Sequence, residues 1–226
     1  MKKKNTKTIL VALGTLAAFA LWTFLIRCVD VQPIGPNGSR VGFAAINGAF
    51  HALTGVHWAL YTLTDWLGLV PIGIALGFAV LGLVQLIRRK SLLKVDRDLL
   101  ILGGFYIVVL AAYLLFETVV INFRPVLIDG KLEASYPSST TMLALCILPT
   151  AMMQLKSRIR HIAVRRAVLV TLGALTAFMV VGRLISGVHW LTDIIGGVLL
   201  SVGLVMFYAF AIKRQGKSRD NSPDPV

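Results

Sequence analysis

Six apolar runs constrain this chain more than any other feature, each near the ~20 residues an α-helix needs to cross the hydrocarbon core of a bilayer. They cover residues 8–28, 58–87, 99–122, 138–155, 167–186 and 190–212. A backbone inside lipid must satisfy its own hydrogen bonds, so open runs of this length read as helices and the fold class is all-α. Composition agrees, with 57% hydrophobic and only 15% charged residues, far from soluble norms. The chain is read as one six-helix transmembrane bundle over residues 1–213, with a polar tail at 214–226 expected to be disordered. The second run exceeds a single crossing. It predicts a tilted helix, or one that begins as an interfacial segment around Trp58 to Trp66 with Asp65 at the water boundary. Residues 43–50 read as a plain connector, an amphipathic surface segment being the alternative.

Lys and Arg set the expected orientation, because cytoplasmic loops keep positive charge during insertion. Four lie between Lys2 and Lys7, five between Arg88 and Arg97, five between Lys156 and Arg166 and four between Lys213 and Arg219, which places 18 of the 23 on one side. Both termini are therefore expected in the cytoplasm, and the first apolar run, with no small-x-small cleavage site after it, as a retained anchor. The net charge of +13 then records topology and attraction to anionic membrane lipids, and calls for no nucleic-acid partner. Cys28 and Cys146 fall at depths that disfavour a disulfide. Trp22, Trp58, Trp66 and Trp190 read as interfacial belt residues, and Gly196-Gly197 as a place of close helix contact.

The remaining five cations, Arg27, Arg40, Arg124, Lys131 and Arg183, fall outside the basic loops. Arg183 opens the segment Arg183-Leu184-Ile185-Ser186-Gly187-Val188-His189-Trp190-Leu191-Thr192-Asp193, where ionisable groups interrupt an apolar stretch. Such groups in a membrane segment cost several kcal/mol unless they pair or line a wet cavity, so they read as a functional site. Read as helix, the segment puts His189 and Asp193 four apart on one face, the carboxylate holding the imidazole's tautomer. Two other segments reach the same side: Asn122-Phe123-Arg124-Pro125, and Tyr136-Pro137-Ser138-Ser139-Thr140-Thr141, where a Pro and a hydroxyl run open a helix. Two arginines, a helix N-terminus and a His together describe a phosphate pocket.

On these residues the chain resembles the type-2 phosphatidic acid phosphatase superfamily of integral-membrane lipid phosphatases. That family's motifs run Lys-x6-Arg-Pro, Pro-Ser-Gly-His and Ser-Arg-x5-His-x3-Asp. Here the third stands as Gly182-Arg183-x5-His189-x3-Asp193, the second as Pro137-Ser138-Ser139-Thr140, and the first as Arg124-Pro125 with Glu117 seven residues before the Arg. The resemblance implies that His189 takes the phosphoryl group and that Asp193 orients it. It further implies that Arg124 and Arg183 bind phosphate oxygens, with Ser138, Ser139 and the Thr140 hydroxyl adding contacts. It implies no metal and no cofactor.

Two positions depart from the pattern. Thr140 stands where the family has its general acid, and Glu117 where it has Lys. His51 and His57, on the outer side, are candidates for a substitute acid, and Lys131 for the missing cation; His161 lies in a basic loop and reads as solvated. The resemblance thus implies metal-independent removal of phosphate from a lipid phosphate or diphosphate, such as phosphatidic acid, phosphatidylglycerophosphate or undecaprenyl diphosphate. The reaction would run through a phosphohistidine on the extracytoplasmic side of a bacterial plasma membrane. The alternatives are a lipid phosphotransferase, or a non-catalytic lipid-phosphate binder or transport-associated protein.

Overall fold

The computed structural model describes residues 2–220, with side chains described for residues 5–214. Eight α-helices follow in order: α1 (Lys2–Cys28), α2 (Ala44–Thr54), α3 (Trp58–Leu67), α4 (Leu69–Arg89), α5 (Arg97–Thr118), α6 (Ser139–Arg158), α7 (Ile162–Ile185) and α8 (Leu191–Asp220). The last residues of the expected disordered tail lie outside the described residues. Among the described residues, five stretches are long and apolar enough to cross a membrane: Asn5–Cys28, Trp58–Arg89, Arg97–Thr118, Ile162–Ile185 and Leu191–Arg214. The protein is a multi-pass membrane protein. Of the six runs in the sequence, the one absent from these five is α6, a 20-residue helix that carries Thr140, Thr141, Thr150 and Gln154 buried along its length. Its surroundings fit its polarity, since α4, α5, α7 and α8 all pack around it, and Tyr106 on α5 and Tyr208 on α8 give Thr150 and Gln154 partners that lipid would not.

The helices run up and down between two ends. One end holds the basic loops, where Arg158 on α6 pairs with Asp98 on α5 at 2.7 Å and approaches Asp96 at 3.6 Å, while Arg89 on α4 reaches Asp96 at 3.0 Å. Between the ends, Leu102, Phe105, Val109, Met142, Cys146, Leu200 and Tyr208 close an apolar core shared by α5, α6 and α8. The other end collects residues 119–138, the turn between α7 and α8, and α2. The most extensive helix pairing joins the first helix to the last, α1 to α8. At the non-basic end this seam is fastened by Trp22 Nε1, which donates to Thr192 O at 3.1 Å.

Three expectations change in the folded chain. Residues 43–50 are no plain connector: α2 forms there, and the buried Asn47 amide ties it to α8, Nδ2 donating to Thr192 Oγ1 at 3.0 Å and Oδ1 accepting from Thr192 N at 3.2 Å. Trp190 is no belt residue, being 3% exposed with its Nε1 donating to Phe123 O at 2.8 Å. The segment from Arg183 to Asp193 is no continuous helix either. It breaks between α7 and α8, where Gly187 has a φ of +70° and a Cβ would fall 1.8 Å from Gly55 O. An L side chain there meets both the left-handed penalty, about 1–2 kcal/mol, and a backbone collision. Gly187→Ala is accordingly expected to cost more than about 2 kcal/mol, read as a lowered thermal unfolding midpoint in detergent.

Candidate functional site

The break between α7 and α8 turns His189 inward. It is 2% exposed, and its Nδ1 lies 3.0 Å from Ser135 Oγ. Ser135 Oγ in turn donates to Asp193 Oδ2 at 2.5 Å. Asp193 sits in the first turn of α8, where Oδ2 also accepts Trp190 N at 3.0 Å and Oδ1 accepts Asn122 Nδ2 at 3.2 Å. The expected side-by-side pairing of His189 and Asp193 on one helical face is therefore corrected. The carboxylate is used to cap its own helix, and the Ser135 hydroxyl stands between it and the imidazole. Ser135 was missed from sequence, although it immediately precedes the Tyr136-Pro137 motif.

Ser135 and Arg124 arrive together on the segment that follows α5. Phe123 pairs with Ala134 and Ile128 with Lys131 across an Asp129-Gly130 turn, both of whose residues have positive φ, as a tight hairpin turn requires. Arg124 N donates to Glu133 O at 3.0 Å and Ser135 N to Asn122 O at 2.9 Å, so the ladder fixes both side chains over the end of α8. Arg124 is buried; its Nε lies 3.2 Å from Glu133 Oε2, yet off hydrogen-bonding geometry, and Nε and Nη1 have no hydrogen-bond partner.

Arg183, at the end of α7, is 1% exposed and clasped by α3. Its Nη2 donates to Asp65 Oδ1 at 2.9 Å, its Nη1 to Tyr61 O and Thr64 Oγ1 at 3.2 Å each, and its guanidinium lies 4.7 Å from the Tyr61 ring centre. Nε is left without a partner. Asp65, expected at the water boundary, is thus a partner of the buried arginine, with its own side chain 57% exposed.

Among the described residues, six buried side-chain polar atoms lack a partner, and four of them are Arg124 Nε, Arg124 Nη1, Arg183 Nε and His189 Nε2. Each such atom costs about 1–3 kcal/mol; neither arginine lines the His189 cavity, but the charges of both act on His189, and donors left unpaired in this way suit a ligand with several acceptor oxygens. Burial, then the Arg124 and Arg183 charges, push the His189 pKa well below its ordinary value. The shift favours the neutral ring, whose Nε2 is buried and unpartnered.

A small cavity touches His189, bordered also by Tyr113, Glu117, Ser135, Tyr136 and Ser139. Ser139 and Tyr113 also border a much larger, mainly apolar groove of about 930 Å³, which passes between α4 and α5 along α6 and takes in Asp65 and Thr140. The other expected residues divide. Ser138 is fully buried and caps α6, its Oγ accepting Thr141 N at 3.5 Å. Thr140 borders the groove and not the His189 cavity. His51 Nε2 lies 3.1 Å from Gly187 O with its ring 5.6 Å from Trp190, and His57 Nε2 lies 2.8 Å from Thr54 O. Neither borders the cavities. Lys131 is exposed at the hairpin turn.

A family model described as the PAP2 superfamily matches residues 100–217. No curated protein matches the chain. Among solved structures, the chain is similar to the "first transmembrane PAP2 type phosphatidylglycerolphosphate phosphatase from Bacillus subtilis", at 20% identity and a TM-score of 0.49, over 95% of this chain and 98% of that one.

Proposed function

Since this chain belongs to the PAP2 superfamily, we propose that it hydrolyses a phosphorylated membrane lipid, with His189 as the nucleophile. The observation that carries this reading is that unpaired donors of two buried arginines lie within electrostatic reach of a buried imidazole whose Nε2 is unpaired. In the proposed reaction the Nε2 lone pair forms a bond to phosphorus, and the leaving oxygen departs with the P–O electron pair. Arg124 and Arg183 bind the equatorial oxygens, where charge gathers. Water then attacks the phosphohistidine and returns the electron pair to Nε2.

The apolar groove supports a lipid over a water-soluble phosphate ester. Its mainly apolar lining suits hydrocarbon chains, and Ser139 and Tyr113 border both the groove and the His189 cavity. The basic loops lie at the opposite end of the helices, so the positive-inside rule supports a site on the extracytoplasmic face, with α6 as the fourth of six crossings and both termini cytoplasmic. One observation favours binding without turnover: Thr140 faces the groove and supplies no titrating proton for a lipid alkoxide. A diphosphate, whose leaving phosphate needs little protonation, removes that difficulty.

Phosphate release by purified protein in detergent, with chelator present, tests the proposal against lipid monophosphates and diphosphates. Release is expected, faster with diphosphates. No release, in protein that still binds these lipids, would overturn hydrolysis in favour of binding or of transfer to an acceptor hydroxyl. The pH profile follows from His189. Because its pKa is lowered, the free imidazole persists as pH falls past its ordinary value, so the rate is expected to hold down to about pH 6.5 and to decline only below it. The same shift contributes stability that is present above about pH 6.5 and lost as pH falls through the lowered value.

A further inference from the structure

We infer that Ser135 is a positioning residue that locks His189 in the tautomer with a proton on Nδ1 and a lone pair on Nε2, and that Asp193 acts on the imidazole only through this hydroxyl. The inference rests on His189 being the nucleophile proposed above, and adds a residue to that site.

A serine hydroxyl has one proton to give. Asp193 accepts from Trp190 N and from Asn122 Nδ2, so both of its oxygens already face donors, as an ionised carboxylate requires. At 2.5 Å from Oδ2, Ser135 sends its proton to that carboxylate, the stronger acceptor of its two neighbours. Its Oγ then shows His189 Nδ1 only a lone pair, 3.0 Å away. The contact is a hydrogen bond only if Nδ1 carries the proton, which leaves Nε2 bare.

The other side of the ring supports the same assignment independently. Nε2 is buried and unpartnered, in the field of Arg124 and Arg183. An N–H there would be a stranded donor facing two cations, whereas a lone pair there is stabilised by them.

The arrangement also handles the charge that appears on reaction. When Nε2 bonds to phosphorus and the P–O bond to the leaving oxygen breaks, the ring becomes cationic with its Nδ1 proton in place. That N–H meets a hydroxyl oxygen whose dipole the ionised Asp193 has already aligned. No proton moves in the step, so the charge is stabilised without reorganisation.

The test pairs kinetics with ¹⁵N NMR of protein labelled at histidine. In the wild type without substrate, the His189 resonances are expected to report a protonated Nδ1 and a bare Nε2, and in Ser135→Ala a tautomer mixture. Ser135→Ala is expected to lower kcat by about 10- to 100-fold, with KM within about threefold. Ser135→Thr, which keeps the hydroxyl, is expected to restore most of the rate. A wild-type ring protonated on Nε2, or a Ser135→Ala kcat within about twofold of wild type, would overturn the inference. Should Ser135→Ala fail to fold, the wild-type tautomer and the Ser135→Thr rate still decide. If the wild type releases no phosphate from any lipid, hydrolysis fails as a function, while the NMR pattern still decides the role of Ser135.

Discussion

His189→Ala is expected to abolish phosphate release, by about 10⁴- to 10⁶-fold, while lipid binding changes only a few-fold. The asymmetry follows from the division of labour in the site. In the proposed reaction affinity rests on the groove between α4 and α5 and on Arg124 and Arg183, neither arginine being hydrogen-bonded to His189. Turnover needs a lone pair at one point, and no other unpaired nitrogen lone pair borders the small cavity among the described residues. Two measurements check it: release of inorganic phosphate, and recovery of acid-labile phosphoprotein after a rapid quench with labelled substrate. Both are expected to vanish in the variant, with lipid binding retained. A variant that still releases phosphate at a tenth of the wild-type rate would mean that water attacks the substrate directly.

Arg183→Ala is expected to lower kcat by about 10²- to 10³-fold, the usual loss when one preorganised donor to transition-state charge is removed. Its three nitrogens are split between two tasks: Nη1 and Nη2 are held by Tyr61, Thr64 and Asp65, and Nε is left over. That division makes Arg183→Lys a poor rescue, since one ammonium cannot both bind α3 and point at a phosphate. Folding is expected to survive, because the partner left behind, Asp65, is 57% exposed and keeps its hydration. Steady-state kinetics beside a thermal unfolding curve separates the two effects. A large fall in the unfolding midpoint with kcat unchanged would reduce Arg183 to a structural pin.

How much of this was legible in the sequence depends on the range of the interaction concerned. The helices could be read because apolarity and length are local, and of the six runs α6 alone escapes the five apolar spans, since its buried polar groups face neighbouring helices. The Arg183, His189 and Asp193 spacing was visible, but its geometry was not. An apolar stretch around Gly187 reads as helix until the Gly55 carbonyl, distant in sequence, is brought against it. Ser135 lies 54 residues from His189, and Asp65 lies 118 from Arg183. Neither pairing leaves a trace in local pattern, and a hydroxyl beside a Pro is an ordinary helix start. α2 was passed over for a similar reason: what anchors it is Asn47 bonded to Thr192, 145 residues away.

The pairing of α1 with α8 carries a consequence for biogenesis. The ribosome delivers α1 well before α8, so the surface of α1 that α8 covers stays unfilled until α8 emerges. His189 and Asp193 arrive with that final portion, whereas Arg124 and Ser135 are made well before it. Synthesis therefore yields a chain that carries these cations and the hydroxyl before the proposed nucleophile, which arrives next to α8. On the proposed mechanism, phosphate release is expected only once α8 has packed against α1, and a chain truncated before α8 is expected to release none.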